Sequence, residues 1–107
     1  MMIITSKQEA GLWLLKDSEG RASLEIVVMF NKKGSYGIIE NVFVEEKYRN
    51  KGIASLLVEE AKHLAVEKQF YKLVLTCSNE LMSFYKKLDF KWQEDGQAYC
   101  MRLDLNE

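Results

Sequence analysis

Tyr48-Arg49-Asn50-Lys51-Gly52-Ile53-Ala54-Ser55 decides the fold, because it sits where the hydrophobic period changes. Before it, Ile38-Ile39-Glu40-Asn41-Val42-Phe43-Val44 is apolar and β-branched, the composition of a strand. After it, Ile53, Leu57, Ala61, Leu64 and Ala65 recur at spacings of three and four, with Glu59, Glu60, Lys62 and Lys68 on the other side. That pattern predicts an amphipathic helix of about four turns. Leu73-Val74-Leu75 then reads as a short strand buried on both faces. Strand, helix and strand over 38–75 form a crossover, so those two strands run parallel.

Working outward, three apolar runs separated by turn formers precede the helix. Leu12-Trp13-Leu14-Leu15 ends at Asp17-Ser18-Glu19-Gly20, Leu24 to Phe30 ends at Asn31-Lys32-Lys33-Gly34, and Tyr36 to Val44 follows. This is the pattern of an antiparallel meander. Beyond the parallel strand, Leu81, Phe84, Tyr85 and Leu88 make one stripe of a second helix. Lys91 to Gln93 and Ala98 to Leu105 are expected to close the chain as a hairpin turning at 94–97. The fold class is α+β: a mixed, mostly antiparallel sheet with two helices and an abbreviated N-terminus.

The 107 residues contain no proline and no repeat, which suits a single domain over 1–107. A net charge of -1 with interspersed signs gives no footprint for nucleic acid and no basic patch for a membrane. Cys77 and Cys100 are too few for a disulfide framework and lack zinc-site spacing, so both are expected as reduced thiols and no metal is expected. Met1 to Thr5 has no basic leader and no long apolar run, so a cytoplasmic location is the default.

The chemistry concentrates in 48–55. A helix start leaves about four N–H groups without intrahelical partners, and its dipole puts partial positive charge there. Phosphates suit such a place. Gly52 lets the backbone approach an anion closely, and Arg49 and Lys51 add positive charge. Taken alone, Arg-x-x-Gly-x-Ala equally fits an ordinary strand–helix loop with solvated basic residues.

With its flanks, the segment resembles the GNAT superfamily of N-acetyltransferases, whose pyrophosphate motif is Gln/Arg-x-x-Gly-x-Gly/Ala. Arg49, Gly52 and Ala54 match its defined positions. Ile38 to Val44 resembles the family's cofactor-binding strand, Tyr71 to Asn79 its next strand, and Phe84-Tyr85-Lys86-Lys87-Leu88-Asp89-Phe90 the end of its second helix. Strand 38–44 and segment 71–90 are particularly similar to glucosamine-6-phosphate N-acetyltransferases. Two positions depart from the pattern. Ala54 stands where many members have a second Gly, and Asp89 where a left-handed Gly cap is usual, which predicts a slightly strained helix end. Family members also carry an extra strand and two helices before the meander, where this chain has only Met1 to Glu9. The acceptor half looks abbreviated, which predicts self-association or a large acceptor that brings its own complementary surface.

The resemblance implies acetyl-CoA as co-substrate and direct attack on its thioester by a primary amine, on a small molecule or a protein. Backbone N–H groups of Asn50, Lys51, Gly52, Ile53, Ala54 and Ser55 would hold the pyrophosphate beside Arg49. Phe43 and Val44 would pair with pantetheine as an added strand, the N–H near Phe43 facing the thioester oxygen. An amine with pKa about 10.4 needs help to lose its proton at pH 7. Glu40, the charge interrupting an apolar strand, is the candidate base. It is equally a solvent-facing residue, and strict alternation puts it on one face with Val42, opposite Asn41 and Phe43. Tyr85 corresponds to the family's acid for the leaving thiolate, or else is core with its hydroxyl at the rim. Asn79 either contacts pantetheine or, like Ser78, caps the second helix. His63 falls on the outer side of the first helix, Cys77 either approaches the acyl group or, as expected, is a small buried hydrophobe, and Trp13 and Trp92 are expected as core or interface. Two rival readings are a non-catalytic acyl-CoA-binding or interaction module and a purely structural one.

Overall fold

The computed structural model describes residues 3–93 and 101–104, apart from the side chain of Glu9. Two compact units divide the chain, Met1–Thr76 and Cys77–Glu107.

The first unit is a sheet of β1 (Ile4–Glu9), β2 (Leu12–Asp17), β3 (Ala22–Asn31), β4 (Gly34–Val44) and β5 (Leu73–Val74), in that spatial order, with helix α1 (Ile53–Glu67) between β4 and β5. Neighbours from β1 to β4 are antiparallel, and β4 with β5 is parallel, as the crossover requires. The helix packs on β2, β3 and β4. It buries Ile53, Leu57, Val58, Ala61, Leu64 and Ala65, and the strands bury Leu15, Ala22, Leu24, Ile26 and Ile39. Each large aliphatic side chain buried this way stabilises the fold by roughly 1.5–3 kcal/mol. Gly37 lies where the packing is closest: a Cβ there would sit 2.6 Å from Ile26 Cγ2 and 2.8 Å from Leu73 Cδ2.

Strand β1 was not expected. Ala10 and Gly11 have φ of 45° and 81°, the two left-handed residues of a type I′ hairpin turn. Asn-Gly announces such a turn, whereas Ala-Gly does not. The strand's Thr5, Ser6, Lys7 and Gln8 are exposed, as suits a polar edge strand. At the other edge, β5 is shorter than expected and half-buried rather than buried.

A bulge interrupts β4. The register shifts between Ser23 and Glu25, so that Asn41 and Val42 together oppose Leu24, and Asn41 takes a left-handed φ of 53°. Glu25 pairs with Glu40 and Ser23 with Phe43. Ser23 and Glu25 share a face of β3, so Glu40 and Phe43 share a face of β4. The grouping of Glu40 with Val42 is therefore wrong, because the extra residue inverts the alternation that it assumed.

Helix α1 ends through Gln69 N–H to the Val66 carbonyl at 3.1 Å and Phe70 N–H to the Ala65 carbonyl at 2.9 Å, with Gln69 left-handed at φ 62°. This is the Schellman pattern with Gln where Gly is usual.

In the second unit a 3-10 turn, Asn79–Leu81, leads into α2 (Met82–Lys86). The expected stripe is cut short: Tyr85 and Leu88 are buried, but Leu81 is exposed. Asp89 N–H reaches the Lys86 carbonyl and Phe90 N–H the Tyr85 carbonyl, both at 3.1 Å. Asp89 takes φ 74°, the left-handed cap that its position predicts. The closing hairpin does not form in its described parts, since residues 91–93 and 101–104 carry no strand. Its turn at 94–97, its second strand's start at 98–100 and Leu105 lie outside the described residues, as does Cys100. Cys77 is exposed rather than buried, and Trp92 is exposed rather than core. Among the described residues, no helix is long and apolar enough to cross a membrane.

Candidate active site

Two features of the first unit shape the site. Strands β4 and β5 touch only at Gly37–Leu73 and Ile38–Val74, so Ile39 to Val44 has no strand partner on that side among the described residues. Within the first unit its backbone is an edge without a strand partner, open to an extended ligand short of the Val44 carbonyl, which Arg49 takes. Past Val44 the chain makes a 3-10 turn, Glu46–Tyr48, and reaches α1 through Arg49, Asn50, Lys51 and Gly52.

Gly52 is the N-cap of α1, with φ 80° and no side-chain cap. The first N–H of α1 to find a helical partner is that of Leu56, which reaches the Gly52 carbonyl at 3.2 Å. The amides of Ile53, Ala54 and Ser55 precede it at the helix mouth. A Cβ at Gly52 would meet nothing within 4 Å, so the space over the cap is open. Asn50, left-handed at φ 64°, adds a second inversion of the kind that turns successive amides toward one point. Arg49, Asn50 and Lys51 are exposed, and the first turn of α1 carries no acid. Arg49 also braces the loop, its Nε donating to the Val44 carbonyl at 2.9 Å. Uncapped amides, a bare glycine and basic flanks are a donor set that suits a pyrophosphate.

Glu40 is exposed and stands directly across from Glu25, whose carboxylate accepts from the Asn41 amide. Phe43, 51% exposed, lies on the same face. Val44 pairs with the buried Ala22 and so faces the helix side. The Ile53 side chain is buried, which leaves its amide as what it can offer, and Ala54 and Ser55 are half-buried. The first unit thus brings Glu40, Phe43, Val44, Arg49, Asn50, Lys51, Gly52, Ile53, Ala54 and Ser55 into one strand–loop–helix segment.

Asn79 and Tyr85 belong to the second unit. Tyr85 is buried, its ring edge-on to Phe84 at 4.9 Å and to Phe90 at 5.8 Å. Burial pushes its hydroxyl pKa above the ordinary tyrosine value, and Cys77 adds to the shift, so it holds its proton firmly. Asn79 is exposed in the 3-10 turn, and Ser78 stands at its N-cap without a capping bond, so neither side chain caps a helix here. His63 is exposed, as its place on α1 predicts. No group of His, Cys, Asp or Glu among the described residues is placed to hold a metal.

The sequence reading missed one polar cluster. Asp17 is buried, and Arg21 grips it through Nε at 2.5 Å and Nη2 at 3.0 Å, which holds its carboxyl below the usual carboxylate range. Its signal was an Asp and an Arg four apart across a turn, hidden among residues that read as turn formers.

Residues 8–92 match the family model described as an acetyltransferase (GNAT) domain. Glucosamine 6-phosphate N-acetyltransferase of Trypanosoma brucei brucei is 37% identical over 87 residues, which are 80% of this chain and 56% of that protein. The enzyme of that name from Schizosaccharomyces pombe is 38% identical over 55 residues, 51% of this chain and 50% of its own. The chain spans about half the length of these curated relatives. Among solved structures, a Trypanosoma brucei acetyltransferase superposes with a TM-score of 0.77 at 31% identity, covering 90% of this chain and 70% of that one. A Clostridium acetobutylicum protein described as a predicted acetyltransferase with acetyl-CoA gives 0.72 at 25% identity, covering 89% and 65%. On the match over 8–92, with the fold and the loop geometry in agreement, the chain belongs to the acetyltransferase (GNAT) domain family.

Proposed function

We propose that this chain, acting as one GNAT domain, binds acetyl-CoA at the β4 edge and the mouth of α1 and transfers the acetyl group to a primary amine. The observation that carries this is the uncapped start of α1 behind the bare Gly52, next to the unpaired stretch of β4. The first acceptor to try is an amino sugar phosphate, because the curated relatives are named for glucosamine 6-phosphate.

Acetyl-CoA supplies a thioester whose carbonyl carbon an amine attacks, with the C–S bond breaking and the thiolate leaving. The chain's own contributions are then distinct. Amides from Asn50 to Ser55 receive the pyrophosphate, and the free edge around Phe43 and Val44 aligns the pantetheine arm, with an N–H aimed where the carbonyl oxygen gains charge. Glu40, exposed on the face of Phe43, accepts a proton from the amine. Tyr85 gives one to the leaving thiolate, since a tyrosine hydroxyl carries its proton at neutral pH.

The test is calorimetric titration with acetyl-CoA and with CoA, followed by turnover on an amine panel that includes glucosamine 6-phosphate. One micromolar site per chain with turnover supports the reading. Tyr85→Phe should then lower kcat by ~10²-fold or more while acetyl-CoA affinity holds. Unchanged turnover removes Tyr85 as the acid. Binding without turnover on any amine would leave an acyl-CoA-binding module instead.

A further inference from the structure

Asp17 is fully buried and carries a charge that the proposed chemistry does not use. It ends β2, and Arg21 closes on it across the β2–β3 turn with Nε at 2.5 Å from Oδ2, Nη2 at 3.0 Å from Oδ1 and its own backbone N–H at 3.3 Å from Oδ2. A two-pronged guanidinium–carboxylate contact fixes the plane of the arginine, not only its charge. The guanidinium carbon sits 5.5 Å from the centre of the Tyr48 ring, within cation–π range. The carbonyl of the same Arg21 accepts from Glu45 N–H at 2.8 Å. One residue therefore holds the loop at both ends of its 3-10 turn, through the backbone at Glu45 and through the ring at Tyr48.

This loop needs holding. The 3-10 turn Glu46–Tyr48 buries none of its residues, and a segment with so little apolar burial opens easily. Arg49, Asn50 and Gly52 follow directly, so any movement of Tyr48 is passed to the helix mouth. Arg21 itself has no charge to spare for a phosphate, since Asp17 grips it and Glu19 lies 3.4 Å from Nη2.

We propose that Asp17 and Arg21 are positioning residues for the cofactor loop, acting through the Tyr48 ring to preset the turn at Arg49–Gly52 for a pyrophosphate. The inference rests on the reading of this loop as the acetyl-CoA cradle. It gives the pair a part in affinity that does not touch the ligand, because a loop ordered in advance loses less freedom on binding.

The test compares Tyr48→Ala, Tyr48→Phe, Arg21→Lys and the double variant Arg21→Lys/Tyr48→Ala. Arg21→Lys is chosen because it leaves Asp17 a counter-charge while removing the flat fork. Acetyl-CoA affinity is read by calorimetry, and amide hydrogen exchange over 45–52 is read in the free protein. The expected result is about a tenfold loss of affinity in each single Ala or Lys variant, no further loss in the double, and wild-type affinity in Tyr48→Phe. Exchange should quicken over 45–52 and stay unchanged in β3. Additive or absent affinity losses would overturn the proposal, as would loss of protection spreading into β3. If the wild-type chain fails to bind acetyl-CoA while Tyr48→Ala still frees 45–52, the cradle reading falls and the bracing of the loop stands.

Discussion

Gly52→Glu separates the cost of strain from the cost of occupying the place proposed for the cofactor. Gly52 has φ 80°, and a Cβ there meets nothing within 4 Å. A side chain therefore causes no clash in the free protein; its left-handed backbone costs about 1–2 kcal/mol, and a carboxylate at the helix mouth recovers about 0.3–1 kcal/mol of that. Relief of glycine's entropy in the unfolded chain offsets roughly 0.5–1 kcal/mol of that. The net, less than about 1 kcal/mol, lowers the melting midpoint by no more than about 4–8 °C. The effect on the ligand is larger. A carboxylate ~5 Å from a phosphate charge costs about 1–3 kcal/mol between the limits of a water-like and a protein-like dielectric. A pyrophosphate carries two such charges, so affinity should fall by about 30-fold or more. Gly11→Glu is the control, because Gly11 has φ 81° and the same empty surroundings but sits in the β1–β2 turn. Calorimetry with acetyl-CoA and thermal melts on both variants decide the matter. A melting loss at position 52 no larger than at position 11, with binding lost only at 52, supports the site; equal affinities would refute it.

Gly37→Ala should destabilise by about 1–2 kcal/mol, because the new Cβ runs into Cγ2 of the fully buried Ile26 at 2.6 Å, and urea melts read the loss. Gln69→Gly should stabilise by about 0.5–1 kcal/mol, since Gln69 holds φ 62° at the end of α1; an unchanged urea midpoint would mean that the left-handed residue costs nothing there. The Asp17 carboxyl is held below its ordinary pKa chiefly by the Arg21 hydrogen bond, so the unfolded chain binds that proton more readily than the fold does. The stability it contributes is full above the unfolded pKa of about 3.9 and drains away as pH falls through the lower folded value. Urea midpoints should accordingly drop less between pH 5 and pH 2.5 in Asp17→Asn than in the wild type, and parallel drops would detach Asp17 from the acid transition.

The parts of the fold legible in the sequence were those in which side-chain identity repeats with the backbone. Ile53, Leu57, Ala61, Leu64 and Ala65 announced α1 because helical period and burial coincide on one face. The meander showed itself through glycine-marked turns. Strand β1 escaped because it has neither signal: its turn is Ala-Gly, and its exposed Thr5, Ser6, Lys7 and Gln8 give no alternation. The second helix was overread, since a stripe from Leu81 to Leu88 fits the helical period, yet only Met82–Lys86 is helical and a 3-10 turn carries Leu81. Periodicity reports which positions share a face, and it does not say how many of them the chain has apolar surface to cover.

The site divides along the same line. Gly52 and Arg49 stood out by type, because the proposed anion cradle calls for residues whose chemistry is conspicuous: no Cβ, and a fixed positive charge. The bulge at Asn41 could not, because it is a matter of count, with Asn41 and Val42 set against Leu24 alone, and a count across two strands is invisible in one. Its consequence is chemical all the same. By inverting the alternation it turns Glu40 and Phe43 to one face and Val44 to the other, beside the buried Ala22. Glu40 is a credible base only in that inverted frame, where it stands on the same face as the residue expected to lie along the thioester. Deleting Asn41 would remove the bulge yet leave Glu40 and Phe43 on one face, two positions apart, whereas matching the count by inserting a residue into β3 beside Leu24 would separate them. The proposed chemistry therefore depends on how the residues of β4 are counted against those of β3, at a position whose side chain donates to the carboxylate of Glu25.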